Sequence, residues 1–270
     1  MASDSCLCFL VGCLFFTLVT SKGSQNDTSD TADSCKRSHE NERDIHIGVL
    51  LPADNSRRYS IEHVSPAIDI AMEKLQGITS GIQHKREIAV YYGDSQCNIG
   101  AAINQAIDFY LRHPIKVFLG PVCDYAAAPV ARQMKYWDIP MITAGAMSGD
   151  FGKMKDSEYP LLTRMNGDFN SLAKFLIRLF QEFGFKKVKQ IYEYEGHHNV
   201  IAKFCHLAAD TIYTTLLTHE DLVQDYFKVN KPEETFDKLE DELGREYAGK
   251  SNKRHNLEPT YPNTLVSYFC

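Results

Sequence analysis

Short apolar runs alternate along this chain with longer segments whose apolar positions recur every three or four residues. Ile45 to Leu51, "IHIGVLL", is a β-rich run stopped by Pro52. From Val64 to Gln76 the residues Ala67, Ile70, Ala71, Lys74 and Leu75 keep helical spacing after a Ser-Pro start. The couplet then repeats. "EIAVYYG", ended by Gly93, predicts a strand, "GAAINQAIDFYLRH" a helix, "IKVFLGP" a buried strand, "YAAAPVARQMKYW" a helix and "IPMITAG" a strand. Buried apolar strands separated by helices predict an α/β fold built on a parallel sheet with helices on both faces.

A second unit starts the same way. "PLLTRM" is a candidate crossing strand, after which Leu172, Phe175, Leu176, Leu179, Phe180 and Phe183 hold the helical period up to Gly184, a C-cap by residue type. "KKVKQIYEYEG" then predicts a strand and "NVIAKFCHLAADTIYTTLL" a helix. Beyond His219 the pattern breaks into a charge-dense stretch with one helical segment, Glu233 to Tyr247, and no further strand is expected. The expected partition is a signal peptide over 1–21, a disordered arm over 22–44, a first α/β lobe over 45–145, a partial second lobe over 146–219 and a divergent charged tail over 220–270.

The leader reading rests on Cys6 to Val19, an apolar or small run of about 14 residues followed by Thr20 and Ser21. That run is short for a bilayer span, and no second long apolar stretch follows, so the mature chain is expected to be secreted and to carry no membrane span. Asn26-Asp27-Thr28 is a glycosylation sequon in the flexible arm. The formal net charge of −6 argues against a nucleic-acid partner, which would call for a basic face. Of eight cysteines, Cys6, Cys8 and Cys13 belong to the leader. The odd remainder, Cys35, Cys97, Cys123, Cys205 and Cys270, implies at least one free or intermolecular thiol in an oxidising compartment.

The chain has no G-x-S-x-G elbow, P-loop, H-E-x-x-H or Cys-x-x-Cys, and neither a catalytic residue nor a metal site is assigned. His197, His198, Cys205 and His206 invite a metal reading. On a helix running from Asn199, however, His198 and His206 stand two turns apart with no second Cys or acidic ligand at tight spacing. Cys97 follows one predicted strand and Cys123 another, and parallel strands end at one edge, so the two can meet. A disulfide across their separation of 26 (123 minus 97) would stabilise the fold by roughly 3 kcal/mol in the chain-entropy model. The backbone amides at Val122 and Cys123, on a strand-to-helix turn, suit either an ordinary helix start or a small anion.

"IGVLLP", "SPAIDIAMEKL", "GDSQC", "FLGPVCDYAAAPVARQMKYWDIPMITAGA" and "KDSEYPLLTR" resemble, in order and spacing, the ligand-binding ectodomain of the natriuretic peptide receptors, the clearance type above all. The resemblance covers Ile45 to Leu207, and "GPVCDYAAAPVAR" is its most specific part. It implies a type I periplasmic-binding-protein-like architecture, with the first lobe nearly complete and the second partial, and a non-catalytic receptor that binds a peptide hormone as a homodimer. Carried over position by position, it implies a Cys97–Cys123 disulfide and a structural chloride at Ser95, Val122 and Cys123, with no other cofactor. It also implies peptide contacts at Tyr125, Arg132, Glu158 and Tyr159, and a dimer interface through Leu111 and Tyr136. Half-buried packing is the bland alternative for Tyr125 and Tyr159.

Cys205 resembles the first half of the family's second disulfide, but the strand and cysteine that complete it are not expected further along. The chain therefore reads as a C-terminally truncated or alternatively spliced form, a soluble or decoy binder of hormone. Two alternatives remain. One is the ectodomain fragment of a receptor guanylyl cyclase. The other is a small-molecule sensor of the same fold, for which the loop Ala146-Met147-Ser148 is poor in hydroxyls.

Overall fold

A computed structural model describes residues 44–79, 87–229, 238 and 264–269. Strands β1 (Ile45–Leu51), β2 (Ile88–Asp94), β3 (Ile115–Leu119), β4 (Met141–Thr143) and β5 (Leu162–Arg164) form a five-stranded sheet in the order β2-β1-β3-β4-β5. Every pairing in it is parallel. Helices α1 (Ile61–Thr79), α2 (Ile99–Arg112) and α3 (Asp124–Trp137) connect its first four strands. The expected α/β architecture is therefore present. The sheet takes its last strand, β5, from beyond position 145, where the first lobe was expected to end.

Local chemistry sets the element ends. The Asn98 carboxamide oxygen accepts from the amides of Gly100 (2.9 Å) and Ala101 (3.1 Å), which fixes the start of α2. On α3, Ala126, Ala127, Val130, Ala131 and Met134 are fully buried, and this small-residue face lets the helix lie close on Phe118, Val49 and Leu50 of the sheet. α1 begins at Ile61, three residues ahead of the expected Val64. The Ile61 amide donates to the Pro52 carbonyl (2.9 Å) and the His63 amide to the Ser60 hydroxyl (3.4 Å), so Ser60 caps the helix and Pro66 falls inside it.

After α4 (Asp150–Lys153) and β5, the chain crosses into α5 (Phe169–Glu182), β6 (Lys187–Glu193), α6 (Phe204–Leu216) and β7 (Val223–Val229). A further strand, β8 (Thr264–Phe269), completes a second parallel sheet in the order β7-β6-β8. The expectation of a strandless tail over 220–270 is thus corrected. β7, "VQDYFKV", hides its strand character because Asp225 answers a buried lysine, Lys189 on β6, across the register. The helix expected from Glu233 to Tyr247 lies outside the described residues, save Lys238, which is helical. Asn26, Cys35, Cys270 and the leader also lie outside them.

α5 buries Phe169, Ala173, Ile177 and Phe180, whereas Leu172, Phe175 and Phe183 of the expected stripe are exposed. The small Ala173 turns toward Val188, Ile212 and Leu216 and lets α5 close on α6, which rotates the stripe by about one position. α6 starts at Phe204 rather than Asn199, because Lys203 takes a left-handed backbone (φ 58°). Phe169, Ile201 and Ala208 join the buried cluster of the first sheet, and the Phe169 and Phe204 rings meet edge to face at 5.2 Å. The first sheet's apolar cluster thus reaches α5 and α6, while Ala173, Ile177, Phe180, Ile212 and Leu216 form a second cluster with Val188 of β6.

Candidate ligand-binding site

The carboxyl edge of the first sheet gathers the predicted residues. Cys97 and Cys123 are disulfide-bonded, with their Cα atoms 5.4 Å apart, as the converging strand ends β2 and β3 require. Beside them Ser95 is fully buried, and its hydroxyl accepts from the amide of Cys97 (3.5 Å). Val122 and Cys123 are buried too, and among the described residues neither of their amides donates a hydrogen bond. Two unspent buried donors beside a buried hydroxyl fit a small anion such as chloride.

Two glycines allow this crowding. Gly120 has a φ of 83°, and a Cβ there would lie 2.2 Å from the Leu50 carbonyl oxygen. A Cβ on Gly145 would lie 1.8 Å from the Val122 carbonyl oxygen. The Thr143 hydroxyl donates to the Pro121 carbonyl (2.7 Å) and accepts from the Gly145 amide (3.0 Å), stitching the same two loops together. At the start of α3, Asp124 is buried. One carboxylate oxygen accepts from the Ser148 amide (2.7 Å) and the other has no partner. Burial pushes its pKa up to about 6, against the opposing pull of the Ser148, Met147 and Asp124 amides and of Arg164.

Of the four predicted peptide contacts, three come together. The Arg132 guanidinium pairs with the Glu158 carboxylate (3.2 Å) at the surface and lies over the Tyr159 ring, 5.2 Å from its centroid. Tyr159 itself is buried, its ring tilted against Phe151 at 4.8 Å, so it is a platform for Arg132 and not an exposed contact. Tyr125 lies apart from these three, two turns earlier on α3, and it is exposed by 37%.

Tyr125 has neighbours that the sequence did not reveal. Lys203 sits 5.3 Å from its ring centroid and 5.2 Å from that of Tyr194, and Lys228 sits 3.8 Å from the Tyr194 ring. His206 packs 4.6 Å from Tyr194, and burial, aided by Lys228 and Lys203, lowers its pKa. Burial raises the pKa of Tyr125. These side chains come from the start of α3, the ends of β6 and β7, and the turn before α6, so no local motif signals them.

The His198 imidazole meets the Arg57 guanidinium (3.1 Å) and Glu195 (3.4 Å), and His206 faces tyrosines. Cys205 is disulfide-bonded, which corrects the expectation that its partner is missing. Among the described residues, no group of three His, Cys, Asp or Glu side chains is placed to hold a metal.

On α2 and α3, Leu111 (69% exposed) and Tyr136 (76%) stand out as large apolar side chains in water. Ile107 and Tyr110, absent from the sequence reading, extend the patch, and Tyr110 stacks on Trp137 at 4.3 Å. Their i, i+3, i+4 spacing with Leu111 was the available signal.

Two parallel α/β sheets, with crossing segments between them and functional loops at the strand ends, define a ligand-binding domain of the type I periplasmic-binding-protein class. The chain belongs to the receptor family ligand binding region, whose family model matches residues 63–239. Atrial natriuretic peptide receptor 3 of Homo sapiens is 35% identical over 153 residues, which is 55% of this chain and 28% of that protein. The Bos taurus counterpart matches to the same extent. Atrial natriuretic peptide receptor 2 of Bos taurus is 32% identical over 142 residues, 52% of this chain and 13% of that protein. The chain thus spans little more than a quarter of the first relative's length, and it is a natriuretic-peptide-receptor-like ligand-binding domain. Among the described residues, no helix is long and apolar enough to cross a membrane.

Proposed function

We propose that this domain binds a natriuretic-type peptide outside the cell, without catalysis, as a homodimer and in a soluble or decoy role. The observation that carries the reading is the exposed Arg132–Glu158 pair on its Tyr159 platform, on the same helix as Tyr125 and beside the exposed α2 and α3 patch. In this reading the leader over 1–21 is removed, Asn26 carries a glycan and the first lobe holds a chloride at Ser95, Val122 and Cys123. A disulfide-closed natriuretic-type peptide should bind saturably in titration calorimetry. Arg132→Ala should weaken binding about tenfold, in line with the loss of one charge-assisted contact. No saturable binding by the folded chain would sink the proposal.

The dimer surface has its own test. Tyr136→Asp places an unpaired carboxylate in an apolar contact, and the sedimentation coefficient should fall from dimer to monomer. An unchanged coefficient would rule this patch out. The disulfides supply a further check. β6 and β8 run parallel, so β8 ends at the sheet edge from which the chain passes on to Cys205 in the first turn of α6. Non-reducing peptide mapping should recover Cys97–Cys123 and Cys205–Cys270, with Cys35 as the odd thiol. Recovery of Cys205 linked to Cys35 would refute that pairing.

A further inference from the structure

The cluster around Tyr194 has a chemistry that the peptide reading leaves unspecified. Two ammonium groups, those of Lys203 and Lys228, lie over one ring, and Lys203 also lies over Tyr125. Both lysines are half-buried, and Lys203 is hydrogen-bonded to Tyr194. Neither makes an ion pair with a described carboxylate. Glu195 meets His198 (3.4 Å) and acts on Lys203 from beyond ion-pair distance, and Asp210 contributes a negative charge close to His206. Ring faces hold a cation in place without neutralising it.

Resting on the peptide-binding reading above, we infer that this cluster selects peptides bearing a carboxylate, with Lys203 and Lys228 pairing to it and Tyr125 and Tyr194 flanking its apolar neighbour. The geometry favours an anion over a cation, because a basic residue would meet two ammonium groups that make no ion pair with a described carboxylate. The carboxylate is either an Asp or Glu side chain or the peptide's C-terminus.

The test uses the full chain and three probes: a disulfide-closed natriuretic-type peptide, the same peptide with its Asp and Glu residues replaced by Asn and Gln, and the same peptide with an amidated C-terminus. Calorimetry should show at least a tenfold loss of affinity for one of the two neutralised probes, and which one identifies the source of the carboxylate. The K203Q/K228Q variant should bind all three probes equally and about tenfold more weakly than the wild type binds the parent. K203R/K228R should restore the discrimination. The inference is overturned if wild type binds all three probes alike, or if the glutamine variant matches wild type on the parent. In that event parent binding itself stands, and only the charge selectivity fails. Failure of every probe to bind wild type overturns the peptide reading and this inference together.

Discussion

Replacing Gly145 by alanine is expected to cost the domain about 4 kcal/mol, enough to leave a large fraction unfolded at physiological temperature. The methyl group would fall 1.8 Å from the Val122 carbonyl oxygen and 2.5 Å from the carbonyl carbon, both backbone atoms that no rotamer change can move. The loops after β3 and β4 would have to separate. Displacing packed backbone costs about 2 kcal/mol. The hydrogen bonds from the Thr143 hydroxyl to Pro121 (2.7 Å) and from the Ala146 amide to Val122 (3.3 Å) would then be strained or lost, at about 1 kcal/mol each. Because the Val122 loop also carries Cys123 and the proposed anion site, any folded fraction should show weakened chloride binding as well. Denaturant midpoints should report the loss. A midpoint equal to wild type would mean that the two loops are not packed backbone to backbone.

That arrangement shows why some of the site could be read from the chain and some could not. Parallel strands buried on both faces write themselves as unbroken apolar runs, so β1, β3 and β4 were legible, as was the meeting of Cys97 with Cys123 at their common edge. β7 was not legible, because its Asp225 makes sense only opposite the buried Lys189 of β6, and that register is invisible in either segment alone. β8, with six apolar or hydroxyl residues, follows a long charged stretch that masks it, and it joins the second sheet on the far side of β6 from β7. α5 carries apolar residues over more than one face. Periodicity therefore placed Phe175 and Phe183 in the core, while the small Ala173 decided which side could approach α6.

The same limit applies to the site. Arg132, Glu158 and Tyr159 lie on neighbouring elements and converge as expected, whereas the Tyr194 cluster draws on two strand ends, a helix start and a turn. The left-handed backbone at Lys203, which ends the preceding turn and aims that side chain at Tyr125 and Tyr194, is not encoded by a glycine or asparagine that a reader would notice. Local rules fix where elements begin. Which ends of them meet is set by topology.

Asp124 gives the second large effect, and its sign runs against the usual behaviour of acidic side chains. Its pKa is raised from 3.8 to about 6, and burial is the leading cause. The folded state therefore binds a proton more tightly than the unfolded state. The stability this group contributes is complete below its unfolded value of 3.8 and is lost as pH rises through about 6. A shift of that size corresponds to about 3 kcal/mol at most. Asp124→Asn keeps the acceptor for the Ser148 amide and removes the charge, but it puts an amide where the second oxygen has no partner, returning about 1 kcal/mol of the gain. The variant should accordingly be about 2 kcal/mol more stable than wild type at pH 7.5, with that advantage gone by pH 4. Taking the difference between the two proteins at each pH cancels the titration of every other carboxylate. A wild type that is the more stable of the two at pH 7.5 would show that the helix start and the three amides outweigh burial, and that Asp124 is ionised there as a stabilising cap on α3.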